Sequence, residues 1–162
     1  MTGHRPAAQS GQSAAPAAVI TRQQGRVRPQ EHRAPRTALT AYTAFRERHY
    51  EPYLQYAALR IGRHGPAETA VTAAFTELAV SWTAILGSAG PAAVAWRILH
   101  DHVDRALGYG PASVPADHVV QMLQCDAHFL HDRMHLSRDH IAEVLGIRPA
   151  DLHSLLPRSP ER

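Results

Sequence analysis

Leu136-Ser-Arg-Asp-His-Ile-Ala-Glu-Val-Leu-Gly-Ile-Arg-Pro-Ala-Asp-Leu-His-Ser-Leu-Leu156 is the stretch whose reading decides the fold. Ser137 is a hydroxyl residue placed to cap a helix, and Asp139 falls in the positive first turn that follows. Ile141, Ala142 and Leu145 recur at helical spacing, which predicts one inward face over Ser137 to Leu145. Gly146 is where the chain can leave that helix with least strain, through a left-handed backbone. Ile147 is placed to plug the angle that results. Pro149 suits the first turn of a second helix, Pro149 to Leu156, which Leu152 with Leu155 or Leu156 would pack back. The small Ala142 lets two crossing helices approach. A Gly-containing turn of this length predicts a helix-turn-helix unit, a shape that can aim one helix at a DNA groove.

Upstream the chain repeats the helical signal and never alternates with period two. Leu39 to Ile61 carries Tyr42, Phe45, Tyr53, Ala57 and Ile61 at helical spacings, with Pro52 expected to kink or restart the helix and Gly62 and Gly65-Pro66 to close it. Ala67 to Leu86 follows, with Val71, Ala74, Phe75, Leu78 and Trp82 on one stripe. Gly87, Gly90 and Pro91 mark a turn, and Pro91 opens a third helix to about Leu107 that buries Val94, Ile98, Leu99 and Val103 or their near neighbours. Gly108, Gly110, Pro111 and Pro115 make the sharpest break in the body. The expected organisation is therefore all-α: a three-helix unit over residues 38–107, a linker over 108–116, and a C-terminal helix-turn-helix unit over 117–158 whose first helix runs from Asp117 to about Arg133.

Residues 1–37 mix Ala, Pro, Gln, Ser, Gly and Arg without apolar periodicity, so a disordered tail is expected. The first 38 residues hold six arginines against Glu31, a net of +5, which leaves the rest of the chain at −2 out of an overall +3. A basic tail on a slightly acidic body is a different object from a basic protein. All 17 basic residues are arginine. The one cysteine, Cys125, excludes an internal disulfide and fits a reducing compartment. No run reaches the ~18–20 uninterrupted apolar residues of a membrane span, and Ala14 to Ile20 is broken by Pro16, so a cytoplasmic location without membrane contact is expected.

Twelve histidines invite a metal reading, with Cys125, His128, His131 and His135 able to share one side of a helix and His100 and His102 nearby in sequence. Their spacing spreads them over about 15 Å of helix, too far for one tetrahedral ion. No metal and no cofactor are expected. Cys125 with His128 matches no nucleophile motif, no Gly-rich phosphate loop follows a strand, and Glu68 with Glu77 reads as solvated helix-face charge, so the chain is not expected to be an enzyme. Trp82 and Trp96 read as core or interface residues.

Asp126-Ala-His-Phe-Leu-His-Asp-Arg-Met-His-Leu-Ser137, followed by Arg-Asp-His-Ile-Ala-Glu-Val-Leu-Gly-Ile147, resembles the promoter-binding C-terminal region of bacterial sigma factors of the extracytoplasmic-function type. Phe45 to Arg60, Ala67-Glu68 with Val71, Phe75 and Trp82, and Pro91 to Leu99 resemble the N-terminal region of the same family, in the same order. The resemblance implies a transcription-initiation protein whose partners are core RNA polymerase and double-stranded promoter DNA, with an anti-sigma factor as a further partner. By position it implies that Glu68, Thr72, Ala73 and Phe75 face polymerase. Arg97, His100, Asp101 and Arg105 would lie near the melted strand. Ser137, Arg138, Arg148, Ala150, Asp151, His153 and Ser154 would meet the upstream duplex.

An alternative keeps the fold and changes the role. Where the family usually has Gln-Glu on its clamp-contacting helix this chain has Thr72-Ala73, and where it commonly has glycine before Leu-Ser this chain has His135. Between Ser137 and Leu156, Arg138 and Arg148 stand against Asp139, Glu143 and Asp151, a local net of −1 in a place where affinity for DNA rests on phosphate neutralisation. Nine linker residues also reach at most roughly 30 Å, whereas the family's connector crosses a large stretch of polymerase. These features imply a degenerate relative that acts through protein contacts without promoter recognition of its own.

Overall fold

The chain, seen here in a computed structural model, is described over residues 33–88, 90–110 and 116–157; the expected tail lies outside these residues up to position 32, as does the middle of the expected linker, 111–115. Among the described residues the fold is all-α. Six helices follow one another: α1 (Arg33–Ile61), α2 (His64–Leu86), α3 (Pro91–Ala106), α4 (Ala116–Asp132), α5 (Arg138–Leu145) and α6 (Pro149–Leu155).

The apolar stripe of α2 organises the first three helices. Ala67, Ala70, Val71, Ala74, Phe75, Leu78, Trp82 and Ile85 are all buried, and the alanines let the neighbouring backbones come close. Tyr42 on α1 donates its hydroxyl to the carbonyl of Phe75, 2.8 Å away, and Phe45 and Tyr42 both set their rings against Trp82. By length and hydropathy α2 is the one helix among the described residues that could cross a membrane, and its buried stripe accounts for that hydropathy as core between α1 and α3.

Three boundaries differ from expectation for local physical reasons. α1 begins at Arg33, inside the segment expected to be a tail. It also passes through Pro52 without interruption. Proline in a helix interior costs ~3 kcal/mol, but Tyr53, Tyr56 and Ala57, just beyond it, are fully buried, and large side chains return roughly 1.5–3 kcal/mol each. Gly65-Pro66 does not close α1. It forms the first turn of α2, where a missing N–H removes no intrahelical bond.

The α4–α6 group packs on the first three helices in a continuous core. Ser137 caps α5 as expected, its hydroxyl accepting the His140 N–H. Gly146 adopts φ 66°, ψ 32°, and Ile147 N–H reaches back to the Ala142 carbonyl at 3.0 Å, the paired-bond ending that a left-handed residue permits. Leu152 and Leu156 are buried, with Leu155 partly so. Gly146 has a second reason to be glycine: a Cβ there would collide with the backbone of Ala92 and Ala93 at the start of α3. The turn between α5 and α6 is therefore seated directly on α3. Just before α5, His135 is the only non-glycine among the described residues with positive φ, at 55°.

Two comparisons test this account by urea unfolding followed by circular dichroism. Gly146→Ala should destabilise by upwards of about 4 kcal/mol, because backbone collision adds to left-handed strain, while Gly108→Ala, at φ 86° with open space around it, should cost only roughly 1–2 kcal/mol. His135→Gly should stabilise by about 1 kcal/mol through relief of the left-handed backbone.

Candidate functional site

α4 turns Leu123, Ala127 and Leu130 toward the core at helical spacing, and the residue between them on that stripe is an acid. Asp126 is 1% exposed. A buried carboxylate is tolerated only when its charge and lone pairs are met, and here they are met from two other helices. Tyr56 on α1 donates its hydroxyl to Oδ1 at 2.9 Å, and Trp96 on α3 donates its indole N–H to Oδ2 at 3.0 Å. Arg60, one turn beyond Tyr56, donates to the Tyr56 oxygen at 2.8 Å and stands 3.8 Å from Asp126 and 3.6 Å from Asp104. His100, one turn beyond Trp96, completes the group with Nε2 3.5 Å from Asp126 and Nδ1 3.2 Å from Asp104.

The titration behaviour follows from this arrangement. Burial raises the Tyr56 phenol far above its ordinary range, and the charge of Asp126 adds to the effect, so Tyr56 remains a donor at every physiological pH. For His100, burial works against the charged ring, but the carboxylates of Asp126 and Asp104 outweigh it and its pKa is raised. His49 on α1 goes the other way: burial lowers it, against the opposing effect of its bond to the Phe45 carbonyl, and Arg48 and His140 lower it further. Beside the Asp126 group, a cavity of about 480 Å³ opens between α3, α4 and the end of α5, walled by Trp96, His100, Asp104, Met122, Leu123 and Leu145 among others.

The residues that the sequence nominated are distributed unevenly around this seam. Arg97, His100 and Arg105 share the α3 wall of the cavity. His100 is buried there beside two carboxylates, its Nε2 without a hydrogen bond, so in this arrangement it presents no face to DNA. Arg97 is exposed, and Arg105 is exposed with its guanidinium on His102 at 3.2 Å. The hydroxyl of Ser137 is occupied by its cap, and Arg138 donates to the Leu156 carbonyl, tying the start of α5 to the end of α6. On α6, Ala150, His153 and Ser154 are exposed, but His153 donates its ring N–H to the Pro149 carbonyl at 2.6 Å. Arg148 makes a two-pronged pair with Asp151 at 2.8 and 2.9 Å instead of capping the helix. Glu68 and Thr72 lie on the exposed face of α2. Phe75 corrects the expectation for that face: it is 3% exposed, packed against Tyr50 and Tyr53, because the stripe that carries it is the one between α1 and α3.

Sequence reading passed over Asp126, Tyr56, Arg60 and Asp104 as a group. The signal was present as an acid at the centre of an apolar stripe, but only the fold brings α1 and α3 to it. Cys125 is exposed, and among the described residues no three His, Cys, Asp or Glu converge as a metal site. Comparison of the chain with protein families, with curated proteins and with solved structures returned no match.

The group should behave as one unit in unfolding experiments. Tyr56→Phe should cost about 1–3 kcal/mol, because it leaves Oδ1 without its best donor, and Asp126→Ala about 3–5 kcal/mol, because it leaves Arg60 and two donors without their partner. The double variant should cost less than the sum, by an amount that urea midpoints resolve.

Proposed function

We propose that this chain is a sigma-factor-like protein of transcription initiation, acting in the cytoplasm with core RNA polymerase as its partner and promoter DNA as the ligand of its C-terminal helices. The observation that carries the proposal is the backbone at His135. The resembling family commonly has glycine at that position, and here a histidine holds the left-handed conformation that glycine supplies, immediately ahead of the Ser137 cap and the left-handed Gly146. The left-handed backbone at His135 is one that glycine adopts most readily, so the difference in side chain leaves room for the same turn.

A second proposal is favoured by a specific observation: the charges of α6 are matched within α6. Arg148 is the only arginine of that cap-and-helix segment, and Asp151 holds it. Affinity for a duplex comes largely from cations that displace counterions at phosphates, and a cation already paired contributes little. On this reading the protein works through polymerase or an anti-sigma factor and does not find a promoter by itself.

Purified full-length protein mixed with core polymerase and a random promoter library separates the two. Start sites that depend on the protein support the sigma-factor function. Core binding without start sites supports the protein-contact regulator, and absence of both overturns the sigma-factor function and leaves only a regulator that contacts an anti-sigma factor. Asp151→Asn refines the outcome: freeing Arg148 should raise duplex affinity and steepen the dependence on log[salt] by about 1, measured by fluorescence anisotropy.

A further inference from the structure

The seam between α4 and the first three helices sets an ionic cluster and a cavity into the continuous apolar core. Between α1, α2 and α3 the contacts are mainly aromatic and aliphatic, and the same apolar cluster continues into α4–α6. Across the seam, α4 is joined to α1 and α3 by Tyr56, Trp96, Arg60 and His100 on one carboxylate and by the edge contact of Phe129 with Tyr56, and a cavity of about 480 Å³ lies alongside. Two further ties join the parts: the ionic pair of Arg48 on α1 with Glu143 on α5, with Arg48 well exposed, and the seat of Gly146 on the start of α3. Polar, imperfectly filled contacts are the mark of a joint between parts that separate, whereas an obligate core is dry and dense.

We propose that the α4–α6 group is latched onto α1–α3 by the His100–Asp126 pair, and that proton uptake by His100 closes the latch while proton loss loosens it. Charge balance at the seam supplies the reason. Asp126 and Asp104 bring two negative charges and Arg60 one positive, so the group carries −1 with neutral His100 and is balanced with the imidazolium. The neutral ring has one N–H for two carboxylates, leaving a lone pair against the other. The groups facing His100 are Tyr56 and Arg60 from α1, Asp104 from its own helix and Asp126 from α4, with Arg97, Asp101 and Arg105 on the cavity wall. A raised histidine pKa means that the closed form holds its proton more tightly than the open form. The stabilisation is therefore complete below the open-form pKa and is lost as pH rises through the closed-form value. His49, whose pKa is lowered, opposes this only on the acid side, where its own protonation disfavours the fold.

The latch stands whether or not the protein touches polymerase, and it is tested on the full chain alone. Amide hydrogen exchange is measured at about pH 6 and about pH 8.5, corrected for intrinsic chemical rates, with α2 as internal reference. Protection of α4 should fall several-fold at the higher pH while that of α2 holds. His100→Gln should abolish the difference and leave α4 as weakly protected at about pH 6 as wild type is at about pH 8.5. Asp104→Asn, which keeps Asp126 and its hydrogen bonds, should move the midpoint to lower pH and serves where His100→Gln does not fold. Equal α4 protection at both pH values, a fall shared by α2, a pH dependence that survives His100→Gln, or a midpoint that Asp104→Asn leaves unmoved overturns the proposal.

Discussion

A single buried carboxylate sets the terms for the rest of the molecule. Asp126 lies where three helices meet, and its two oxygens are met by donors from α1 and α3, neither from its own helix. Tyrosine and tryptophan suit that task because each delivers a large apolar body to the core with one polar atom at a fixed place. With the carboxylate only 1% exposed, the register of α4 against α1 and α3 is tied to those two donor atoms. Apolar packing tolerates sliding by part of a turn far better than such a set does. The polar group thus fixes position where the aliphatic residues around it supply most of the favourable free energy.

Gly146 imposes the complementary constraint from the far end. The turn it makes needs a left-handed residue, and the nearness of Ala92 and Ala93 forbids a side chain, so two separate demands fall on one atom that is missing. Because the α5–α6 turn rests on the first turn of α3, the C-terminal helices cannot tilt freely as a module while they are seated on the first three. Arg138 adds to this by closing α5 onto the end of α6. What the outer face of α6 offers a partner is consequently set by residues that face inward.

Local signals in the sequence were read well where the physics is local. The helical class, Ser137 as a cap, the left-handed Gly146 and the burial of Trp82 and Trp96 all depend on neighbours within a few positions or on plain hydrophobicity. Pro52 misled because the cost of proline in a helix is a local quantity, whereas the burial of Tyr53 and Tyr56 that outweighs it is a property of the packed chain. Phe75 misled for a related reason: a stripe that faces a partner and a stripe that faces two neighbouring helices have the same periodicity. Asp126 was legible only as an oddity, an acid among Leu123, Ala127 and Leu130, since its partners are 70 and 30 residues away along the chain.

The order in which the chain is made gives that cluster a history. Tyr56, Arg60, Trp96, His100 and Asp104 all leave the ribosome before Asp126 does. Until α4 emerges, the indole N–H and the phenol face an empty socket, and the Arg60 guanidinium has only Asp104 opposite it. A nascent chain arrested in that interval lacks the acceptor that the phenol and the indole N–H meet in the finished fold. The helices made after α3 therefore do more than extend the outline: α4 brings the carboxylate that the earlier ones leave unmet.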